Sequence, residues 1–213
     1  MALRKLIPAF TPMKLLLLLL LVVSTCLADD AKPLFIAAGK LIAQPDLKSP
    51  LGPEWWVAKG TWQAKDGVLT GTIIAEENHA AVLQLATKAP EVVWECEFRL
   101  RDAKVFYVGF DGADHHVGRV IVTPAKAKLC EDSTEVKGVS PVHTLTETAV
   151  ELKPDDWQHL RVEQTGEKLA ARLNDVELQA EHPYLSTPKT RWWFAVGGGT
   201  AEMRNVRVSE GKR

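Results

Sequence analysis

The stretch "EVVWECEFRLR", residues 91–101, alternates apolar and charged side chains along most of its length. Its apolar positions are Val92, Trp94, Cys96, Phe98 and Leu100, and glutamates or arginines fill the positions between them from residue 95 onward. Successive side chains of a β-strand point to opposite faces of the sheet. The stretch therefore predicts a strand with one face in a protein core and the other in water.

Short runs with the same period of two lie on both sides of this strand, from Trp55 to the C-terminus, and turn residues separate them. The run "KVFYVGF" (104–110) leads into an Asp-Gly pair, and "WQHLRVEQTGEKLAARLNDVELQ" (157–179) is divided by Thr-Gly and Asn-Asp pairs. These dipeptides favour turns, and no run of about 12 or more residues shows helical periodicity. The pattern predicts an all-β fold, a sandwich of two antiparallel sheets.

The N-terminus has the composition of a secretion signal. Lys14 precedes an uninterrupted apolar run, Leu15–Val23, which small residues follow. We expect cleavage after Ala28, so that the protein is secreted or resides in the periplasm or cell envelope. Acylation of Cys26, which would make the protein a lipoprotein, is the alternative.

Removal of residues 1–28 as a signal peptide leaves a chain of one-domain length. Residues 29–54 contain four prolines and one short apolar run, and we expect them to lead into the domain with at most an edge strand. Residues 55–213 are expected to form the sandwich. Two cysteines remain, Cys96 and Cys130, and both a disulfide and two free thiols are consistent with the sequence.

The net charge excludes some partners. The signal holds three of the 26 basic residues and none of the 27 acidic ones, so the remaining chain has a net charge of −4. A mildly acidic protein offers no electrostatic reason to bind nucleic acid or an anionic membrane. No transmembrane segment is expected after the signal.

Three motifs give the chain a resemblance to a known family. They are "WQAKDGVLTG" (62–71), "DDWQHLRVEQTGEKLAARLNDVEL" (155–178) and "MRNVRV" (203–208). In this order the motifs resemble the 3-keto-disaccharide hydrolase domain family, a branch of the concanavalin A-like lectin and glucanase sandwiches. The resemblance implies a concanavalin A-like jelly roll whose concave face often holds a carbohydrate. It supplies no catalytic residue for this chain.

Sugar binding requires aromatic faces for the pyranose rings and a few fixed polar groups for the hydroxyls. In each of the tryptophan pairs 55–56 and 192–193, one ring faces the core and the other faces away from it. The ring that faces away from the core would either provide a surface for a sugar or pack under a loop. The residues predicted to bind a glycan on the concave face are Tyr107, Asp111, Arg119, His159, Arg161, Arg172 and Trp193. For His159, Arg161 and Arg172 this holds only if their strands share a sheet with that of Tyr107.

A catalytic alternative, a glycoside hydrolase of the 3-keto-disaccharide hydrolase type, is also consistent with the sequence. Glycoside hydrolysis usually uses two carboxylates about 5–10 Å apart, and Glu95 and Glu97 lie two apart on one strand, about 6.5–7 Å between α-carbons. The competing interpretation is a solvated face of paired charges. A third alternative is an envelope protein that binds another protein and no sugar.

The segment "DGADHHVG" (111–118) is a second candidate catalytic centre. His115 and His116 could act as general bases beside an aspartate, although adjacent histidines on an extended chain point in opposite directions. Asp111 and Asp114 could bind calcium as a cofactor, although two carboxylates fall short of the usual ligand number. The remaining interpretation is a polar hairpin loop.

Overall fold

The computed structural model describes residues 32–133 and 142–213, so the expected signal peptide lies outside the described residues. Two 3-10 helices, Ala75–Glu77 and Pro183–Ser186, accompany fifteen strands in these ranges, and neither helix is long and apolar enough to cross a membrane. The strands are β1 Ala37–Ala43, β2 Trp55–Lys59, β3 Thr61–Lys65, β4 Val68–Thr72, β5 Ala81–Ala86, β6 Val92–Arg99, β7 Val105–Asp111, β8 His116–Val122, β9 Lys126–Glu131, β10 His143–Ala149, β11 Gln158–Thr165, β12 Lys168–Leu173, β13 Val176–Glu181, β14 Arg191–Gly197 and β15 Thr200–Lys212.

The strands form two antiparallel sheets, which confirms the predicted sandwich. The eight-stranded sheet has the order β13-β12-β11-β6-β15-β4-β3, and β1 pairs with the distal part of β15. The seven-stranded sheet has the order β10-β9-β8-β7-β14-β5-β2. About half of the neighbouring pairs join strands that are distant in sequence, such as β6 with β15 and β7 with β14, so the fold depends on long-range pairing.

The core lies between the two sheets. β6 contributes Trp94 and Phe98, both fully buried, from the centre of the eight-stranded sheet. Trp94 stacks on Trp192 at 5.8 Å and meets Phe194 edge-on at 4.4 Å, and Phe98 stacks on Phe106 at 4.5 Å. The alternation read from residues 91–101 thus corresponds to a strand that buries one face against the opposing sheet.

Residues 32–54, which were expected to lead into the domain, are tied to the eight-stranded sheet and belong to one compact unit with the rest of the described chain. β1 lies within residues 29–54 and pairs with β15, for example Ala38 with Gly211. Just before β1, the backbone N–H groups of residues 34–36 donate hydrogen bonds to the carboxylate of Glu163. The pairing of β1 with β15 and the backbone hydrogen bonds to Glu163 thereby hold this segment against the rest of the chain.

The two cysteines are free and buried. Cys96 points into the core from β6, whereas Cys130 lies on β9 opposite Arg119, on the other sheet. Of the two states that the sequence left open, the structure has the free thiols.

Candidate functional site

The outer face of the seven-stranded sheet is set by the alternation of β7. Phe106, Val108 and Phe110 are buried in the core, so Tyr107 and Gly109 face the opposite side. The neighbouring strands add Trp193 beside Gly109 and Arg119 on its other side. Sequence-local alternation therefore collects several predicted ligand residues on one surface.

A groove of about 330 Å³ lies on this outer face. It is lined by Trp193, Tyr107, His116, Arg119 and Gln84, together with residues 78–80 from the loop before β5. Each of the five side chains comes from strands β5, β7, β8 or β14. The groove is consequently built on rigid elements, with a loop at its rim.

Gly109 allows Trp193 to lie against the sheet. A Cβ added at Gly109 would come within 2.1 Å of Cζ2 of the Trp193 indole, so any larger residue would displace the ring. Only 4% of Trp193 is exposed. Its Nε1 donates a hydrogen bond to Oδ1 of Asp111 at 2.7 Å, which fixes the rotation of the ring.

Asp111 is the centre of a buried polar network. Besides Trp193, its carboxylate accepts bonds from Nδ1 of His116 at 2.6 Å and from Nε of Arg191 at 2.7 Å. Burial alone raises the pKa of the Asp111 carboxyl, but the bonds from His116, Arg191 and Trp193 outweigh it and hold the pKa below its ordinary value. Asp111 is therefore an anion that positions its neighbours.

His116 is the exposed end of this network. Its side chain is 41% exposed and lines the groove. An ionised carboxylate can only accept hydrogen bonds, so Nδ1 of His116 carries the proton shared with Asp111. In the neutral imidazole, Nε2 is then unprotonated, so it can accept a proton or a hydrogen bond from a ligand hydroxyl.

Arg119 is held in a comparable way. Its Nε and one terminal nitrogen donate to the two carboxylate oxygens of Asp132 at 3.1 and 2.6 Å, and Asp132 is only 2% exposed. The guanidinium carbon lies 5.5 Å from the centre of the Trp193 ring. Both arginines near the groove, Arg119 and Arg191, thus have a carboxylate partner, and the site has little surplus charge.

Tyr107 completes the aromatic part of the groove. Its ring centre lies 6.5 Å from that of Trp193, and the rings are inclined by 52°. Burial raises the pKa of the Tyr107 phenol, so the hydroxyl is protonated at neutral pH and can donate to a ligand. Aromatic carbon and hydroxyl are the combination that a pyranose ring requires.

The structure places the remaining predicted residues elsewhere. Glu95, Glu97, His159 and Arg161 lie on paired strands of the eight-stranded sheet, and Arg172 lies beside Arg161 on the next strand. These strands do not share a sheet with Tyr107, so the condition set for the last three residues is not met.

Glu95 and Glu97 both have cationic partners. Glu95 accepts a bond from Arg161 at 2.5 Å, and Glu97 accepts one from Nε of Arg204 at 2.8 Å. Burial raises the pKa of Glu97, but bonds from Arg204 and Asn205 lower it below its ordinary value. The arrangement is that of a charge-paired sheet surface, distant in the fold from the groove.

The 111–118 segment forms the β7–β8 hairpin. His115 and His116 diverge as expected from an extended chain: His116 enters the groove, whereas His115 stacks on Tyr184 at 5.9 Å. Asp111 is buried and Asp114 is exposed. Within residues 32–133 and 142–213, no cluster of three or more His, Cys, Asp or Glu side chains is arranged to hold a metal.

Sequence analysis did not identify Gln84, Arg191 or Asp132 as site residues. Gln84 had a detectable signal, because it is the one polar residue in the apolar run "AVLQLA" of β5. Arg191 had none, because it reaches the site through the pairing of β14 with β7, which are far apart in sequence. Asp132 lies just after β9, and its contact with Arg119 follows from the pairing of β9 with the preceding strand β8.

No family model matches the chain, and no curated protein matches its sequence. Solved structures share its fold. The carbohydrate-binding module CBM66 from Bacillus subtilis has a TM-score of 0.59 at 13% identity, over 73% of this chain and 95% of that module. A Bacillus subtilis protein of unknown function with a galectin-like fold has a TM-score of 0.59 at 12% identity, over 84% and 99% of the two chains. A putative glycosyl hydrolase from Parabacteroides distasonis has a TM-score of 0.54 at 12% identity, over 79% and 100%. At these identities the similarity establishes the fold, a jelly-roll sandwich.

Proposed function

We propose that the protein binds a carbohydrate in the groove on the outer face of the seven-stranded sheet. The observation that carries the proposal is the grouping of two aromatic side chains, Trp193 and Tyr107, with the polar groups of Gln84, His116 and Arg119 in one groove. Such a mixture of apolar area and few oriented polar groups is typical of small-ligand sites. The similarity of the fold to a carbohydrate-binding module adds support.

The site is held in place before any ligand arrives. Asp111 fixes Trp193 and His116, and Asp132 fixes Arg119. A ligand that meets immobile side chains does not have to restrict their rotation, which lowers the cost of binding. This favours a groove adapted to recognition.

Glycan-array binding by the purified protein, followed by calorimetry on each bound glycan, tests the proposal. We expect Tyr107→Ala and Gln84→Ala to weaken binding at least fivefold, because each removes a direct contact without opening the core. Trp157→Ala is the matched control, since Trp157 packs between Arg99 and Arg204 on the other sheet. Failure of the protein to bind any glycan, or binding that ignores both groove variants, would contradict the proposal.

A second function, glycoside cleavage, is favoured by the His116–Asp111 pair. A histidine whose Nδ1 is held by a buried carboxylate is oriented to act as a general base through Nε2. The resemblance to the 3-keto-disaccharide hydrolase family points to the same activity. In this case His116→Ala should abolish product formation and leave most of the glycan affinity.

The catalytic residues predicted on the other sheet provide the contrast. Glu95→Gln and Glu97→Gln should leave turnover unchanged if the reaction occurs in the groove. Loss of turnover in either variant, with His116→Ala still active, would place the reaction on the eight-stranded sheet. The same assay with added calcium and then with a chelator tests a calcium site at Asp111 and Asp114.

We also propose that the protein acts outside the cytoplasm, on the basis of residues 1–28. Mass spectrometry of the N-terminus of the exported protein should find Asp29 as the first residue. An acylated Cys26 would instead identify a lipoprotein. An unprocessed N-terminus in the cytoplasmic fraction would contradict export.

A further inference from the structure

We propose that the glycan site extends from the groove across β5 to Trp56, so that the ligand is an uncharged oligosaccharide that crosses the strands. This inference rests on the proposed carbohydrate binding and specifies its ligand class. The groove alone would hold little more than one sugar ring, whereas the extended surface would contact several.

The strand register places Trp56 in line with the groove. Trp56 pairs with Gln84, Gln84 pairs with Trp193, and Trp193 pairs with Gly109, which in turn pairs with Arg119. Neighbouring strands are about 4.8 Å apart, so the α-carbons of Trp56 and Trp193 lie roughly 10 Å apart across the sheet. These residues form one row across the strands, with the indole of Trp56 at one end and the guanidinium of Arg119 at the other.

Trp56 faces this row. Its neighbour Trp55 is buried and contacts Trp94 in the core, so Trp56 points to the outer face. Trp56 is 38% exposed and is the one aromatic residue among the exposed large hydrophobic residues of ranges 32–133 and 142–213. An aromatic side chain left in water at the end of a ligand groove is the kind of surface that sugar rings cover.

The exposed Val57 next to it does not enlarge this surface into a protein-docking patch. Val57 pairs with Leu83, which is buried in the core, and so it belongs to the opposite face of β2. Trp56 therefore shares a surface with Gln84 and the groove. This continuity favours a chain-like ligand over a protein partner.

The charges along the row favour an uncharged ligand. Arg119, which belongs to the row, is paired with Asp132, and Arg191, which lies beside the row opposite Asp111, is paired with Asp111. Both carboxylates are almost fully buried. A polyanionic glycan needs unpaired positive charge to offset the loss of its hydration. We therefore expect binding that changes little between low and high salt.

Calorimetry with gluco-, manno- and xylo-oligosaccharides of one to six units tests the inference. For the series that binds, wild-type affinity should rise at least tenfold from one unit to four. Trp56→Ala should remove about tenfold of the affinity for the long members, the size expected for one aromatic contact, and leave that for the single sugar unchanged. Trp157→Ala should change neither.

The outcomes separate this inference from the proposed function. Tyr107→Ala should weaken chains of every length, and if the wild type binds no glycan the carbohydrate proposal itself fails. Binding that is independent of chain length, or unaffected by Trp56→Ala, overturns the extended site alone. Binding confined to uronic-acid oligosaccharides overturns the uncharged ligand class, and a protein complex lost in Trp56→Ala without any length effect overturns the assignment of Trp56 to a sugar.

Discussion

Glu163→Gln should detach the segment before β1 and destabilise the whole domain. Glu163 is fully buried on β11, where its carboxylate accepts hydrogen bonds from the backbone N–H groups of Leu34, Phe35 and Ile36 at 2.6–3.1 Å. Nε of Arg161 donates a further bond at 2.6 Å. Burial raises the pKa of the carboxyl, but the three backbone bonds and the guanidinium hold it below its ordinary value.

The expected loss is about 3–5 kcal/mol, the cost of removing one member of a buried ion pair. The glutamine has the same shape, yet its amide presents N–H groups to donors that have no other partner. Arg161 would retain Glu95 and the carbonyl of Ile36, so the loss stays below the sum of all the bonds. For a domain of this size the midpoint of thermal unfolding should fall by roughly 6–20 °C.

Denaturant unfolding and hydrogen exchange measure the two parts of this prediction. The free energy of unfolding should fall by the stated amount, and the amides of residues 34–36 should lose their protection. Glu177→Gln is the matched control, because Glu177 is 46% exposed and pairs with Arg172 at the surface; its effect should stay within about 1 kcal/mol. A loss below 1 kcal/mol in Glu163→Gln would refute the role assigned to the carboxylate.

The pH dependence gives an independent check. A carboxyl whose pKa is lower in the folded protein stabilises the fold at pH values above its unfolded pKa, about 4.3 for glutamate. This contribution disappears as the pH falls through the lower pKa of the folded state. The difference in stability between wild type and Glu163→Gln should therefore be largest at neutral pH and shrink in acid.

Three further changes test the groove and the core. Gly109→Ala should lower the free energy of unfolding by about 1–3 kcal/mol through overpacking, and it should weaken glycan binding. Gly112→Ala is the control: its added Cβ would meet nothing closer than 3.4 Å, so stability should change by less than about 1 kcal/mol. Equal effects of the two variants in denaturant unfolding would contradict this prediction. Asp111→Asn should lower the free energy of unfolding by about 1.5–3 kcal/mol at pH 7. Because the pKa of Asp111 is lowered in the folded protein, this difference from wild type should shrink below about pH 4. A difference that stayed constant in acid would contradict the role of Asp111 in the network. Burial raises the pKa of the Cys96 and Cys130 thiols, so a thiol reagent should not label them in the folded protein. Both should be labelled once the protein is unfolded in the absence of reductant. If the unfolded protein resists labelling under these conditions, the two cysteines form a disulfide.

Local alternation was sufficient to predict strands such as β6 and β7 together with their buried faces. In β6 and β7, apolar side chains at every second position correspond to the core residues Trp94, Phe98, Phe106 and Phe110. The reason is that each strand of an antiparallel sandwich has one face in the core and one face in water, so the pattern can be recognised in each strand by itself. The same alternation places Tyr107 on the outer face of the sheet, opposite its neighbours Phe106 and Val108.

Strand order could not be predicted in this way, and it decides which residues meet. β6 pairs with β11 and β15, far along the chain, so Glu95 and Glu97 face arginines of those strands. β7 pairs with β14, which brings Tyr107, Asp111 and Trp193 together while leaving His159 on the other sheet. Pairing between distant strands depends on the packing of the whole sandwich and leaves no mark in a short stretch.

The two outer faces differ in a way that explains why the groove forms on one of them. On the eight-stranded sheet, long charged side chains of adjacent strands pair with one another, as Arg161 does with Glu95, and the segment before β1 binds to Glu163. On the seven-stranded sheet, the Trp193 indole packs against the backbone at Gly109, and the small Ala195 lines the groove. The buried carboxylates of Asp111 and Asp132 hold Trp193, His116 and Arg119 in place. Burial of an acid is costly unless it is paired, and the partners of these acids include side chains that a ligand would contact under the proposed function.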